Sequence, residues 1–140
     1  MRYEISIRPR VSETDMLGHI NNVAVVAWLE EGRSYMVREA LGAFPQLPPF
    51  VLARIEVDYK AQLYFGEEAQ VWSGVERLGN SSIVIRQRIA QRGRTCASGR
   101  SVLVHFEHST QRSIPLTASL REGLGRFLDG WDEEAPHHPG

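Results

Sequence analysis

The chain has 140 residues, 42% of them hydrophobic and 24% charged, which is enough for one domain with a real core. A formal net charge of −1 gives nucleic acid no positive field to hold, and it leaves little repulsion to oppose self-association. Cys96 is the single cysteine, so an intrachain disulfide is ruled out and a reducing, cytoplasmic setting is expected.

The first residues mix charged and apolar side chains and contain no long apolar run. Neither a signal peptide nor a membrane span is expected there. Tyr3 to Val11 alternates apolar and polar, which predicts a strand. Pro9 denies that strand an N–H, so it is an edge strand or a strand end. In the loop that follows, Glu13, Asp15, Gly18, His19, Asn21 and Asn22 crowd together. Asn21 or Asn22 can cap the next helix by accepting from one of its free N–H groups. The first N–H groups of that helix then point back towards Asp15 and favour developing negative charge. The stretch can place a general base or nucleophile beside an electrophilic donor.

The spacing predicts a helix from about Asn22 to Leu41, stopped by Gly42. Val23, Val26, Ala27, Glu30, Ser34, Val37 and Leu41 fall near one face, and Trp28, Leu29, Tyr35 and Met36 widen the apolar coverage. Such a helix is central. Its valine-rich first half has weak intrinsic helix preference and depends on tertiary packing. Glu30 with Arg33, or Glu31 with Arg38, can form ion pairs. Residues 43–50 hold three prolines and read as an irregular crossing segment that lines a pocket or covers a sheet edge.

Four strands are predicted next: Val51 to Lys60, Glu68 to Leu78, Ser82 to Ala90, and Thr95 to Phe106 with Val102, Val104 and Phe106 on one face. Turn signals at Leu78-Gly79-Asn80 and Arg92-Gly93 suit antiparallel neighbours. One long helix followed by long antiparallel strands defines an α+β class, with a curved sheet wrapped around the helix. The opposite sheet face carries Arg54, Glu56, Arg86 and Arg88, and it faces water or a partner subunit. A short helix from about Thr117 to Leu128, capped by Thr117 or Ser119, closes a single domain over 1–129. Residues 130–140 read as a loose tail, in which His137 and His138 are too few for a metal site.

No glycine-rich phosphate loop, Gly-x-Ser-x-Gly elbow, His-Glu-x-x-His or Cys-x-x-Cys is present. Gly123 and Gly125 do not make a nucleotide loop. No metal and no separate cofactor is expected. Cys96 is expected to be a buried, inert thiol.

Asp15-Met-Leu-Gly18-His19-Ile-Asn21-Asn22, followed by Glu30 and Arg33, resembles the signature of hotdog-fold acyl-CoA thioesterases of the 4-hydroxybenzoyl-CoA thioesterase type. The likeness continues through Val57 to Glu67, Gly79 to Ser82 and Gly99 to Phe106, and it spans about residues 3 to 128. It implies a five-stranded antiparallel sheet around a long central helix. It also implies a homodimer joined sheet edge to sheet edge, paired again into a homotetramer, with active sites at the dimer interface. By position Asp15 matches the catalytic carboxylate. Asn22 matches the residue whose backbone N–H polarises the thioester carbonyl, and Gly18 the glycine that lets backbone approach substrate. His19 and Asn21 match loop residues, and Glu30 matches a recurring helix acid read as support or pocket lining. The family commonly has an aromatic residue where this chain has Val25, a departure that bears on the acyl pocket.

The implied reaction is hydrolysis of an acyl thioester of coenzyme A or acyl carrier protein, with coenzyme A as part of the substrate rather than a cofactor. Glu13 is a candidate for the nearby acid that tunes Asp15, and Arg54, Arg86, Arg88 and Arg112 are candidates for the phosphates. Two alternatives share the fold: a non-catalytic acyl-CoA-binding protein, and a dehydratase or hydratase. The last normally pairs a histidine with a carboxylate on the helix, whereas His19 precedes it.

Overall fold

The computed structural model describes residues 1–42 and 50–128. The elements are β1 (Tyr3–Ile7), a 3-10 turn (Val11–Glu13), α1 (Asn22–Leu41), β2 (Phe50–Tyr59), β3 (Ala69–Leu78), β4 (Ser82–Gln91), β5 (Arg94–Glu107), β6 (Arg112–Ser113) and α2 (Ala118–Gly125). All strand pairs are antiparallel, in the order β1-β3-β4-β5-β2, with the two-residue β6 added on β5. This is the α+β hotdog arrangement, one long helix embraced by a sheet. The short β6 is not expected from sequence, because two residues carry no periodicity. Of the crossing segment 43–50, residues 43–49 lie outside the described residues, and Phe50 belongs to β2 rather than to an irregular stretch; the tail 130–140, with His137 and His138, also lies outside them.

α1 begins and ends as local chemistry dictates. Of the two candidate caps, Asn21 takes the role: its side-chain oxygen accepts the Ala24 N–H at 2.8 Å. Gly42 closes the helix at φ 60°, a left-handed conformation that glycine adopts without a side-chain clash.

The buried face of α1 differs from the expected one. Ala24, Val25, Trp28, Leu29, Gly32, Arg33, Met36, Val37 and Ala40 are buried, while Val23, Val26, Ala27 and Glu30 are exposed. Close approach explains the choice. A Cβ on Gly32 would lie 2.5 Å from Val71 Cγ1, so the helix can sit this near β3 only with glycine there. Leu29 and Met36, both fully buried, flank that contact and anchor two core clusters. Fully burying each such side chain contributes about 1.5–3 kcal/mol. Gln87 crosses from β4 and donates to the Leu29 carbonyl at 2.8 Å and to Ser73 Oγ at 2.9 Å, which satisfies polar groups beneath the helix.

The far face of the sheet is built on charge. Arg86 and Arg100 stand opposite each other in register. Glu76 receives Arg100 Nη2 at 3.0 Å and pairs with Arg86 Nε at 3.4 Å, and Glu56 pairs with Arg54 at 3.3 Å. The Arg100 hydrogen bond holds the Glu76 carboxyl below its usual range. Arg88, expected as a solvent or partner-facing residue, is 3% exposed. These arginines alternate with Ile85, Gln87 and Ile89, which face α1, so they lie across the sheet from the helix start.

Candidate functional site at the start of the central helix

The loop before α1 is a closed turn. The Asp15 N–H donates to the His19 carbonyl at 2.8 Å, and Asp15 Oδ1 accepts the N–H groups of Leu17 at 2.8 Å and His19 at 3.1 Å. Gly18 sits at φ +81°, the left-handed conformation that this reversal needs. Its carbonyl accepts the Phe65 N–H at 3.1 Å, and the Ile20 N–H donates to Leu63, so the loop is stitched to the 60–66 segment. The Asp15 side chain is 44% exposed, and Oδ2 lies 3.9 Å from His19 Nδ1, beyond hydrogen-bond reach. The His19 ring meets Tyr64 edge-on at 5.1 Å. Gln91 secures Tyr64 from β4: it accepts the Tyr64 N–H and donates to the Tyr64 carbonyl, both at 2.8 Å.

Beside this loop a cavity of about 210 Å³ opens between the start of α1, the end of β2 and β5. Ile20, Asn22 and Val25 form one wall; Tyr59 to Leu63 and Cys96-Ala97 form the rest. The Tyr59 hydroxyl donates to the Asn22 carbonyl at 3.2 Å and pins the first helical turn to β2. The N–H groups of Asn22 and Val23 are the first two of the helix, and neither is used by the Asn21 cap. Among the described residues neither has a backbone partner, so the helix end offers a free donor at Asn22 and a partial positive charge at the cavity wall.

The residues singled out from sequence fall into three places. Asn22 and Val25 line the cavity, and Asn21 caps the helix above it. Asp15, Gly18 and His19 form the adjoining loop without lining the cavity. Glu30 is remote from both: it is exposed, two turns along the helix, 3.9 Å from Arg33. Arg54 and Arg86 are held in ion pairs on the far sheet face, and Arg112 lies on β6, so none of these reaches the cavity wall. Cys96 is buried and its thiol is pushed up by burial, as expected of an inert thiol, although it lines the cavity floor. Among the described residues no three histidine, cysteine or acidic side chains converge on a metal site.

Glu13 is turned away from Asp15. It is buried, with one carboxylate oxygen accepting the Arg10 N–H at 2.8 Å and the other the Trp28 indole N–H at 2.9 Å. Burial pushes its carboxyl up, but the Arg10 N–H, the Trp28 N–H and the Arg10 guanidinium together outweigh burial and hold it below the usual range. Its role is to tie the loop to α1. A carboxyl with a depressed folded pKa stabilises the fold above the ordinary value of about 4.3, and this contribution is lost as pH falls through the folded value. Glu13→Gln is expected to cost about 1–3 kcal/mol at neutral pH. The gap from wild type should close below about pH 4. Thermal melts across the acid range check this, and a gap independent of pH would show that the charge is immaterial.

Tyr59, Lys60, Tyr64 and Gln91 are site residues that sequence reasoning did not single out. Tyr59 and Lys60 read as ordinary strand-end residues. Their place depends on the pairing of Tyr59 with Ala97 and on the bond from the Lys60 N–H to the Cys96 carbonyl at 2.8 Å.

Residues 9–124 match the thioesterase-like superfamily, and the chain belongs to it. It is similar to a predicted thioesterase from Bacillus stearothermophilus, with 39% identity and a TM-score of 0.86, covering 94% of this chain and 100% of that one. It is also similar to a thioesterase from Thermus thermophilus solved with coenzyme A and Zn, with 29% identity and a TM-score of 0.76, covering 87% of this chain and 96% of that one. The uncharacterized protein YsmA of Bacillus subtilis (strain 168) is 29% identical over 117 residues, 82% of this chain and 80% of the relative.

Proposed function

We propose that this protein hydrolyses an acyl-CoA thioester to the free acid and coenzyme A. The observation that carries the reading is the Asn22 N–H at the start of α1, which has no partner among the described residues and belongs to a cavity-wall residue directly after the Asp15 loop. The Asn22 N–H donates to the thioester carbonyl oxygen and stabilises the negative charge that grows on it. Asp15 is the base that activates water, and the thiolate leaves as the tetrahedral adduct collapses; or Asp15 is the nucleophile that expels the thiolate to form an anhydride, which water then opens. In either route the thiolate leaves without strong acid assistance. Superfamily membership supports the reaction class, and the Thermus thermophilus relative solved with coenzyme A supports the leaving group.

The same reading makes the protein a homodimer joined through β2 and paired again as a tetramer. β2 is the longer of the two edge strands of the sheet, no described strand pairs with its far edge, and Leu52 and Tyr59 are exposed along it. Long open edges are normally covered in native proteins, and a two-fold pairing covers this one with a second copy.

Thiol release from a panel of acyl-CoA and acyl-carrier-protein thioesters tests the reaction. Release that scales with enzyme concentration supports hydrolysis. A folded protein that releases thiol from no member of the panel would overturn it.

A further inference from the structure

A second cavity, of about 150 Å³, lies at the other end of β2, against the middle of α1. Pockets that hold a whole small ligand span roughly 300–1,000 Å³, so this cavity suits the end of a molecule. Its walls are apolar where Val37, Phe50, Leu52 and Leu103 meet, and polar where Glu30, at the rim, and Arg33 and Ser34 face them. The Arg33 side chain is 5% exposed, and its Nη1 is buried with no acceptor among the described residues. Its Nη2 lies 3.9 Å from Glu30 Oε2, too far for a hydrogen bond, and the Glu30 side chain is 72% exposed. Burial pulls the guanidinium down, and Glu30 offsets this only in part. A buried N–H without an acceptor is costly and calls for a partner.

The chemistry of the cavity selects that partner. A guanidinium offers a flat fork of donors that matches a carboxylate, while the apolar walls match methylene groups. A carboxylate at the end of an aliphatic chain satisfies both, and the exposed Glu30 is free to swing into water as it enters. Within one chain this cavity and the Asn22 cavity are separated. Residues 22 and 33 are about 16 Å apart along the helix at its normal rise. Leu29, fully buried and close against Gly99, stands between them. Strands paired about a two-fold run antiparallel. In the β2-to-β2 dimer the Phe50 end of one subunit therefore meets the Tyr59 end of the other, and the Arg33 cavity of one faces the Asn22 cavity of its partner.

We propose that Arg33, with Ser34 beside it, receives a carboxylate at the far end of the acyl group, so that thioesters of aliphatic dicarboxylic acids are the substrate class. This rests on the hydrolase and dimer readings given above. The test is kcat/KM for glutaryl-CoA and adipoyl-CoA against hexanoyl-CoA and heptanoyl-CoA, in wild type, Arg33→Met and Arg33→Lys. Each diacid is matched in length to a monoacid. Methionine keeps the wall filled, and replacing a buried charge by a well-packed apolar side chain is commonly neutral for stability. Wild type is expected to prefer each diacid by about 100-fold, the scale of the penalty for a buried donor left unpaired by the wrong substrate. Arg33→Met is expected to abolish that preference, chiefly through KM, and Arg33→Lys to keep part of it. A wild-type ratio near one, or a ratio unchanged in Arg33→Met, overturns the proposal. Release from the monoacid thioesters in that case leaves the hydrolase reading intact; no release from any of the four overturns the dicarboxylate proposal, and the wider thioester panel then decides the hydrolase reading.

Discussion

Asp15→Asn is expected to lower turnover by about 10²–10⁴-fold, the range attributable to a positioned base, while leaving the fold unchanged. The structure makes this substitution unusually clean. The loop uses only Oδ1 of Asp15, which accepts the Leu17 and His19 N–H groups. An asparagine keeps an oxygen in that position and can make both bonds. What it removes is the charge and the basic Oδ2, which no backbone group engages. Asp15→Ala is expected to do more, because it deletes the acceptor that closes the turn and frees the Gly18 reversal. Thiol-release kinetics beside a thermal melt separate the two effects. Turnover of Asp15→Asn within about threefold of wild type would remove Asp15 from the chemistry and leave it a turn residue.

The elements of this fold are legible in the sequence because their signals are local. Asn21 and Gly42 are capping residues, and the helix runs between them as spacing predicts. The strands follow from alternation and from turns such as Arg92-Gly93. Facing is a different matter. α1 is apolar on nearly every side, so periodicity does not choose which side meets the sheet. The choice is made at Gly32, where only a residue without a side chain clears Val71, and no local pattern marks that glycine as the contact point. β5 shows the same physics. Val102, Val104 and Phe106 are half-buried on the outer face, while Gly99, Ser101, Leu103 and His105 turn inward. Hydrophobicity marks the valines, while the inward position at Gly99 is tight: a Cβ there would lie 3.0 Å from Leu29 Cδ1.

The candidate site divides along the same line. The Asp15 loop and the helix start are contiguous in sequence and are legible there directly. The Glu13–Trp28 bond, the Tyr59 hydroxyl on Asn22, and the Gln91 clamp on Tyr64 join residues from 15 to 37 positions apart, and no local pattern announces them. Glu13 is the instructive case. Beside Asp15 in sequence it looks able to tune a neighbouring carboxylate. In space its oxygens are occupied by Arg10 and Trp28.

Asn22→Pro is expected to lower kcat by about 10²–10³-fold, the loss typical of removing one donor to a developing oxyanion, or about 3–4 kcal/mol in the barrier. Proline at this position deletes the backbone N–H together with the side-chain amide, and leaves the helix start otherwise intact. Asn22 is the first residue of α1, where proline is well tolerated because its N–H has no partner within the helix. The residue before a proline must be extended, and Asn21 already is, at φ −72° and ψ 157°. The Asn21 cap to Ala24 and the Tyr59 bond to the Asn22 carbonyl both survive the change, since neither uses the Asn22 N–H. Asn22→Ala is the matched control: it removes the side-chain amide and keeps the backbone donor. A large loss in the proline variant, with turnover near wild type in the alanine variant, assigns the effect to the backbone. Equal losses in the two variants would assign it to the side chain, and the helix N–H would no longer account for polarisation of the carbonyl.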